Sequence, residues 1–164
     1  ANNLGIELIG IDDAQIIDLA IDGADEVSPE LNLIKGLGGA LLREKKVERK
    51  AKELIIIIDE SKLVNKLGRG ILPVEIKSNG YEKTLKQISK LGCEAELRVE
   101  ENNVPFITDN ENYICHCKFI NGISNPKETD KNLMEIEGVI DTGLFIGMAT
   151  KIIVGNKTGV EIIE

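Results

Sequence analysis

The chain has 164 residues, 42% of them hydrophobic, and a formal net charge of -8 from 20 Lys and Arg against 28 Asp and Glu. That length and apolar content support a genuine core in one or two small domains. An acidic chain with only 3% aromatic residues argues against nucleic acid, which needs clustered positive charge and stacking rings, against an anionic membrane surface, and, with no apolar run near ~20 residues, against a bilayer span.

Residues 1–13 read as the end of a helix or loop followed by a short strand at 6–9. Residues 16–21, Ile-Ile-Asp-Leu-Ala-Ile, form an apolar run that stops at Asp22-Gly23-Ala24-Asp25-Glu26. This pattern predicts a buried strand ending in carboxylates. Then Lys35-Gly36-Leu37-Gly38-Gly39-Ala40 gives way to good helix formers, Leu41-Leu42-Arg43-Glu44-Lys45, which predicts a glycine-rich turn opening a helix over 38–52. The charged run 43–52 is expected to be a solvated helix face apart from Glu44. Residues 54–58, Leu followed by four Ile, predict a central parallel strand buried on both faces. It ends at Asp59-Glu60-Ser61-Lys62, a second polar cluster, and two such ends side by side make a pocket rim.

Glycines and a proline at 68–73 mark a boundary. Beyond it the pattern predicts a strand at 74–77, a helix at 81–91, a strand at 94–100, a hairpin from 106–108 and 112–119, a helix at 126–137 and a strand at 138–141. That β-α-β-β-α-β order is the ferredoxin-like arrangement. Strands at 151–154 and 160–163, joined by a turn at 156–159, return to the first sheet. The expected fold is α/β: a Rossmann-like, mainly parallel sheet from 1–72 and 144–164, with a ferredoxin-like α+β domain, 73–143, inserted.

Cys93, Cys115 and Cys117 are too few and too oddly numbered for a disulfide framework, so a reducing cytoplasm is the expected compartment. Cys115-His116-Cys117 invites a metal reading, but neighbours on a strand point to opposite faces. They are expected to be structural, with no metal site.

The chemistry concentrates in residues 22–44. In open α/β sheets ligands bind outside the carboxyl ends of the strands. Glycines let the backbone lie against a ligand, and free N–H groups at a helix start attract phosphate, carboxylate or a developing enolate oxygen. Lys35 adds a full charge. Glu44, in the second turn of the helix, is placed to face back toward the acids. Together these suit proton transfer next to a carbonyl on a small, polar, phosphorylated molecule. Taken alone, each piece is bland: Asp-Gly after a strand is most often a turn, and residues 36–41 miss the G-x-G-x-x-G pattern because Leu41 holds the third glycine position. The combination carries the functional reading.

Those motifs, with Leu72-Pro73-Val74-Glu75, Thr108-Asp109-Asn110-Glu111-Asn112 and Gly138-Val139-Ile140-Asp141-Thr142-Gly143-Leu144-Phe145, resemble in order and spacing the motifs of ribose-5-phosphate isomerase, type A. The resemblance implies an aldose-ketose isomerase of the pentose phosphate pathway that interconverts D-ribose 5-phosphate and D-ribulose 5-phosphate through an enediolate. It implies no metal or organic cofactor, and a homo-oligomer, dimer or tetramer. By resemblance Glu44 is the base shuttling a proton between C1 and C2. Asp22 and Asp25, in the motif with Gly23 and Ala24, bind sugar hydroxyls and assist ring opening. Lys35 with Gly36, Leu37 and Gly38 holds substrate and stabilises the oxyanion, and Lys62 contributes near the phosphate. Lys35 or Arg43 is expected to keep Glu44 ionised. Family members also carry an upstream strand, a Thr-Gly-Ser-Thr phosphate loop and a helix. No such loop occurs here, since Thr142-Gly143 and Thr158-Gly159 are followed by Leu144 and Val160, so this chain alone is expected to hold an incomplete site.

Two other readings use the same residues. A sugar-phosphate effector-binding module needs the pocket but not Glu44. A magnesium-dependent phosphotransferase would use Asp22 and Asp25 as ligands.

Overall fold

Period-2 alternation along isoleucine-rich strands builds the first sheet. The computed structural model describes residues 2–14 and 16–164; Ala1, the very start of the expected N-terminal helix end, lies outside them. In chain order come β1 (Ile17–Asp22), β2 (Glu26–Val27), β3 (Leu33–Ile34), α1 (Leu41–Lys50) and β4 (Ala51–Asp59). Then follow β5 (Ile71–Ile76), α2 (Tyr81–Ser89), β6 (Glu94–Leu97), β7 (Tyr113–Lys118), α3 (Pro126–Met134), β8 (Val139–Thr142), β9 (Leu144–Phe145), β10 (Lys151–Asn156) and β11 (Gly159–Ile163).

The first sheet has the order β1-β4-β10-β11, parallel through β10 and closed by the β10–β11 hairpin. Its register sets Asp22 opposite Ile56 and Gly155 opposite Asp59, so the carboxyl ends of three strands share one edge. Ala20, Leu54, Ile56, Ile58, Ile152 and Val154 point to one face and pack with Val27, Leu33 and Phe145. The opposite face is open: Ile57 is 51% exposed, and Leu19 and Ile21 are exposed beside it. The expected burial of residues 54–58 on both faces therefore does not hold, because no described element covers that side.

The second sheet, β6-β7-β5-β8, is antiparallel throughout and takes the ferredoxin-like strand order. Buried Ile88 of α2 and Leu133 of α3 join its core with Leu72, Val74, Ile76, Cys115 and Cys117. Pro126 at the first turn and Asn125, whose side chain accepts from the Glu128 N–H at 3.2 Å, start α3. A third sheet, β2-β3-β9, links the other two. Its two-residue strands carry no readable period.

Several boundaries move for identifiable reasons. Residues 6–9 form no strand and leave Ile6, Leu8 and Ile9 exposed, with no neighbour to pair with. The helix stops at Lys50 because Ala51 already pairs with Ile17. Residues 106–108 form only one isolated bridge, Ile107 with Tyr113, next to another that joins Val99 with Pro105. There the Thr108 hydroxyl donates to buried Glu75 at 3.0 Å and accepts from the N–H groups of Asn110 and Asn112, side-chain bonds that compete with a ladder.

The solvated-face expectation for 43–52 fails at two positions. Helical spacing puts Leu41, Lys45 and Glu48 on one buried stripe, and what faces them is polar. Lys45, 1% exposed, donates to Asp141 of β8 at 2.6 Å and to the Thr142 carbonyl, and its ammonium lies 4.8 Å from the centre of the Phe145 ring. This pair fastens α1 to the second sheet. Removing one partner of a buried pair strands the other charge, so Lys45→Ala should cost about 3–5 kcal/mol in urea denaturation. A loss below about 1 kcal/mol would show that the pair does not hold the helix.

Candidate active site

β1 ends at Asp22, whose Oδ1 accepts from the Gly23 N–H at 2.7 Å. The β2–β3 hairpin then folds back and delivers Lys35 beside it. The Lys35 backbone is tied to the Gly143 carbonyl at 3.0 Å. Its ammonium, on a residue 3% exposed, donates to the Gly23 carbonyl at 2.6 Å. Asp25 accepts from the Leu37 N–H at 3.2 Å, which orients the turn.

That turn needs glycine at two places. Gly36 and Gly39 have φ of +94° and +96°, and an added Cβ would meet the Leu41 Cβ at 2.4 Å or the Phe106 ring at 2.5 Å. The second sheet holds it from outside: Arg98 donates to the Leu37 carbonyl at 2.9 Å while its guanidinium stacks 3.7 Å from the Phe106 ring centre. No side chain caps the start of α1, so its first N–H groups are available to an anion.

Lys35 gathers the acids. Its Nζ lies 2.9 Å from Asp22 Oδ2, 3.3 Å from Glu48 Oε1 and 3.5 Å from Glu44 Oε2. Burial pulls the Lys35 ammonium down, but Asp22, Glu48 and Glu44 outweigh it and leave the lysine above its ordinary range. Burial pushes Asp22 up, yet Lys35 and the Gly23 N–H carry it below the usual carboxylate value. For Glu44 burial wins: despite the pull of Lys35, its carboxyl sits above the ordinary value, raised further by Asp22 and Asp25. Of the two cations expected to keep Glu44 ionised, Lys35 does pull it toward the charged form, while Arg43 turns to Asp109 at 3.0 Å in an exposed pair. Glu48, 2% exposed at its side chain, is pushed up to about 7, first by burial and then by Asp22 against the pull of Lys35.

A cleft of about 240 Å³ is lined by Asp22, Gly23, Ala24, Asp25, Lys35, Gly36, Leu37, Gly38 and Glu44. Every cleft residue expected from the sequence thus lines one hollow except Lys62. Lys62 ends a 3-10 turn after β4, on the same sheet edge but outside the lining. A second hollow of about 220 Å³ lies on the other side of Glu44, between Ile21, Arg43, Val47 and Glu48.

Two acids were missed. Glu48 lies one turn after Glu44, and that i, i+4 spacing was the available signal. Glu26, grouped with the site acids, is instead a buried staple that accepts from the backbone N–H groups of Gly68, Arg69 and Gly70. Cys115 and Cys117 are buried on one face of β7 and His116 points to the other. Among the described residues no group of three or more His, Cys, Asp or Glu is placed to hold a metal ion.

Fold and cleft together define an α/β protein with one lysine and several carboxylates at the carboxyl edge of its parallel strands, a site of acid–base type. The family model for ribose 5-phosphate isomerase A (phosphoriboisomerase A) matches residues 1–159, and the chain belongs to that family. Ribose-5-phosphate isomerase A of Bacillus mycoides is 53% identical over 161 residues, which cover 98% of this chain and 72% of that protein. Among solved structures, a D-ribose-5-phosphate isomerase in complex with phospho-erythronic acid superposes with a TM-score of 0.94 at 39% identity. The ribose 5-phosphate isomerase of Plasmodium falciparum does so at 0.91 and 40%. Each match covers 99% of this chain and 72% of the other.

The raised Glu48 carboxyl has a consequence for stability. In the unfolded chain Glu48 ionises near 4.5 and in the folded one near 7. Between those values the folded state binds more protons, so this group lowers stability as pH rises through the window. Glu48→Gln should stabilise the protein by about 3 kcal/mol at pH 8 and not at all at pH 4. Denaturant titration at the two values measures this, and an equal difference at both would contradict the buried, neutral carboxyl.

Proposed function

We propose that this chain interconverts D-ribose 5-phosphate and D-ribulose 5-phosphate, with Glu44 as the base. One observation carries the reading: Glu44 shares a small polar cleft with Lys35, Asp22 and Asp25, with its carboxyl raised toward the range where a general base works well. In the aldose-to-ketose direction Glu44 takes the proton from C2 of the open-chain sugar and returns it to C1. A second proton passes from the C2 hydroxyl to O1, so the product is an isomer with nothing gained or lost. The enediolate between them carries negative charge, which Lys35 and the N–H groups of the glycine turn offset. Asp22 and Asp25 hold sugar hydroxyls and assist ring opening. Lys62, in the 3-10 turn after β4, keeps its proposed place near the phosphate through the match in residues 59–62 alone.

Residues 1–72 with 144–164 and residues 73–143 form the two units of this proposal. It also places the protein in the cytoplasm as a homo-oligomer. Three buried free thiols support a reducing compartment, and the open apolar face at Leu19, Ile21 and Ile57 supports burial against further protein. No helix among the described residues is long and apolar enough to cross a membrane. The phosphotransferase reading loses ground because Asp22, one of its two ligands, already has its charge paired with Lys35 and an oxygen bonded by the Gly23 N–H.

The test is isomerisation of ribose 5-phosphate without added metal, on this chain and on the full length its relatives have. Glu44→Gln should lower kcat by roughly 10³-fold while sugar phosphate still binds, and Lys35→Ala by about 10²-fold or more. Wild-type turnover by Glu44→Gln removes the base from the mechanism. Binding without turnover in every form favours an effector module.

A further inference from the structure

Glu48 is the acid of this cluster that the mechanism above leaves unused. It follows Glu44 by one turn on the same face of α1, its side chain is 2% exposed, and its Oε1 lies 3.3 Å from Lys35 Nζ. Neither of its oxygens makes a hydrogen bond. An ammonium has three protons, and Gly23 O at 2.6 Å and Asp22 Oδ2 at 2.9 Å are the two nearest acceptors. Glu44 and Glu48, at 3.5 Å and 3.3 Å, flank what remains.

We propose that Glu48 is a positioning residue that sets, through Lys35, how strongly Glu44 holds a proton. When Glu48 is neutral, the third ammonium proton turns to Glu44 and makes it a weaker base that ionises at lower pH. When Glu48 is ionised, it draws that proton to itself and adds a second negative charge, so Glu44 becomes a stronger base. This inference rests on the isomerase reading for its catalytic consequence, though not for the coupling itself.

The charged groups around Glu48 come from every neighbouring element. Asp22 comes from β1, Lys35 from the segment after β3 and Glu44 from α1 itself. Lys45, bound to Asp141 of β8, meets the same Phe145 ring as Lys35, at 4.8 Å and 5.5 Å from its centre. One ammonium facing three carboxylates leaves an excess of negative charge, and Glu48 is the one of the three that water does not reach. The most buried acid is where a proton best relieves it, in keeping with the titration of Glu48 near 7.

The experiment is the pH dependence of kcat in the full-length enzyme for wild type, Glu48→Gln and Glu48→Asp. Wild type should show an acid limb from Glu44 and a second, shallower rise near pH 7. Glu48→Gln should keep one limb, displaced to lower pH, and lose roughly 3- to 10-fold in kcat at pH 8 with KM unchanged. Glu48→Asp should restore the second rise. A wild-type profile with a single limb, or the same profile for wild type and Glu48→Gln, overturns the proposal. The titration of the Glu44 carboxyl, followed by carbon NMR in the unliganded protein, separates this from the isomerase reading. A lower Glu44 value in Glu48→Gln supports the coupling even in a protein without isomerase activity, and identical titrations overturn it.

Discussion

A buried ammonium cannot stand without acceptors, and the site depends on how that need is met at Lys35. Its long side chain reaches inward from the end of the β2–β3 hairpin and is met by a carbonyl and three carboxylates from two other elements. Because those acceptors come from β1 and α1, satisfying one cation also sets the distance between strand end and helix. The same contact divides the acids by environment. Asp22, nearest the ammonium, is held ionised, while Glu44 and Glu48, farther away and more dominated by burial, are held nearer to neutrality.

The second sheet takes part in building the site. Lys45 of α1 reaches Asp141 and Thr142 on β8, and Phe145 immediately beyond meets both buried ammonium groups. Arg98 and Phe106 press on the glycine turn from the other side. The cleft is therefore shaped at the junction of a parallel sheet and an antiparallel one, and residues more than sixty positions away from Leu37 decide how it lies. Rigid support of this kind is what a proton transfer needs, because a base displaced by an ångström loses its alignment with the carbon it serves.

The open face of the first sheet is the other organising feature. A strand of four successive isoleucines reads as buried on both sides, but each residue on a pleated strand has one direction only. Ile56 and Ile58 enter the core while Ile57 stands out toward solvent. Side-chain type states what could be buried; only the neighbours decide what is.

Much of the architecture was legible because it rests on local rules. Apolar runs ending in acids, a glycine turn before helix formers, and the β-α-β-β-α-β order each follow from short-range periodicity and turn chemistry, and they located Asp22, Asp25, Lys35, Gly36, Gly38 and Glu44 in one cleft. What escaped was decided at long range. The strands at 26–27, 33–34 and 144–145 are too short to show a period and exist because each has a partner. Lys45 and Glu48 read as solvated charges because isolated helix charges usually are, and they are buried because Asp141 and Lys35 wait opposite them. The sequence by itself determined which groups were available to the chemistry and roughly where along each element they stand. Tertiary structure alone decided which of them lost their water, and with it the charge each one keeps, since desolvation depends on everything packed around a group and on nothing in its own stretch of chain.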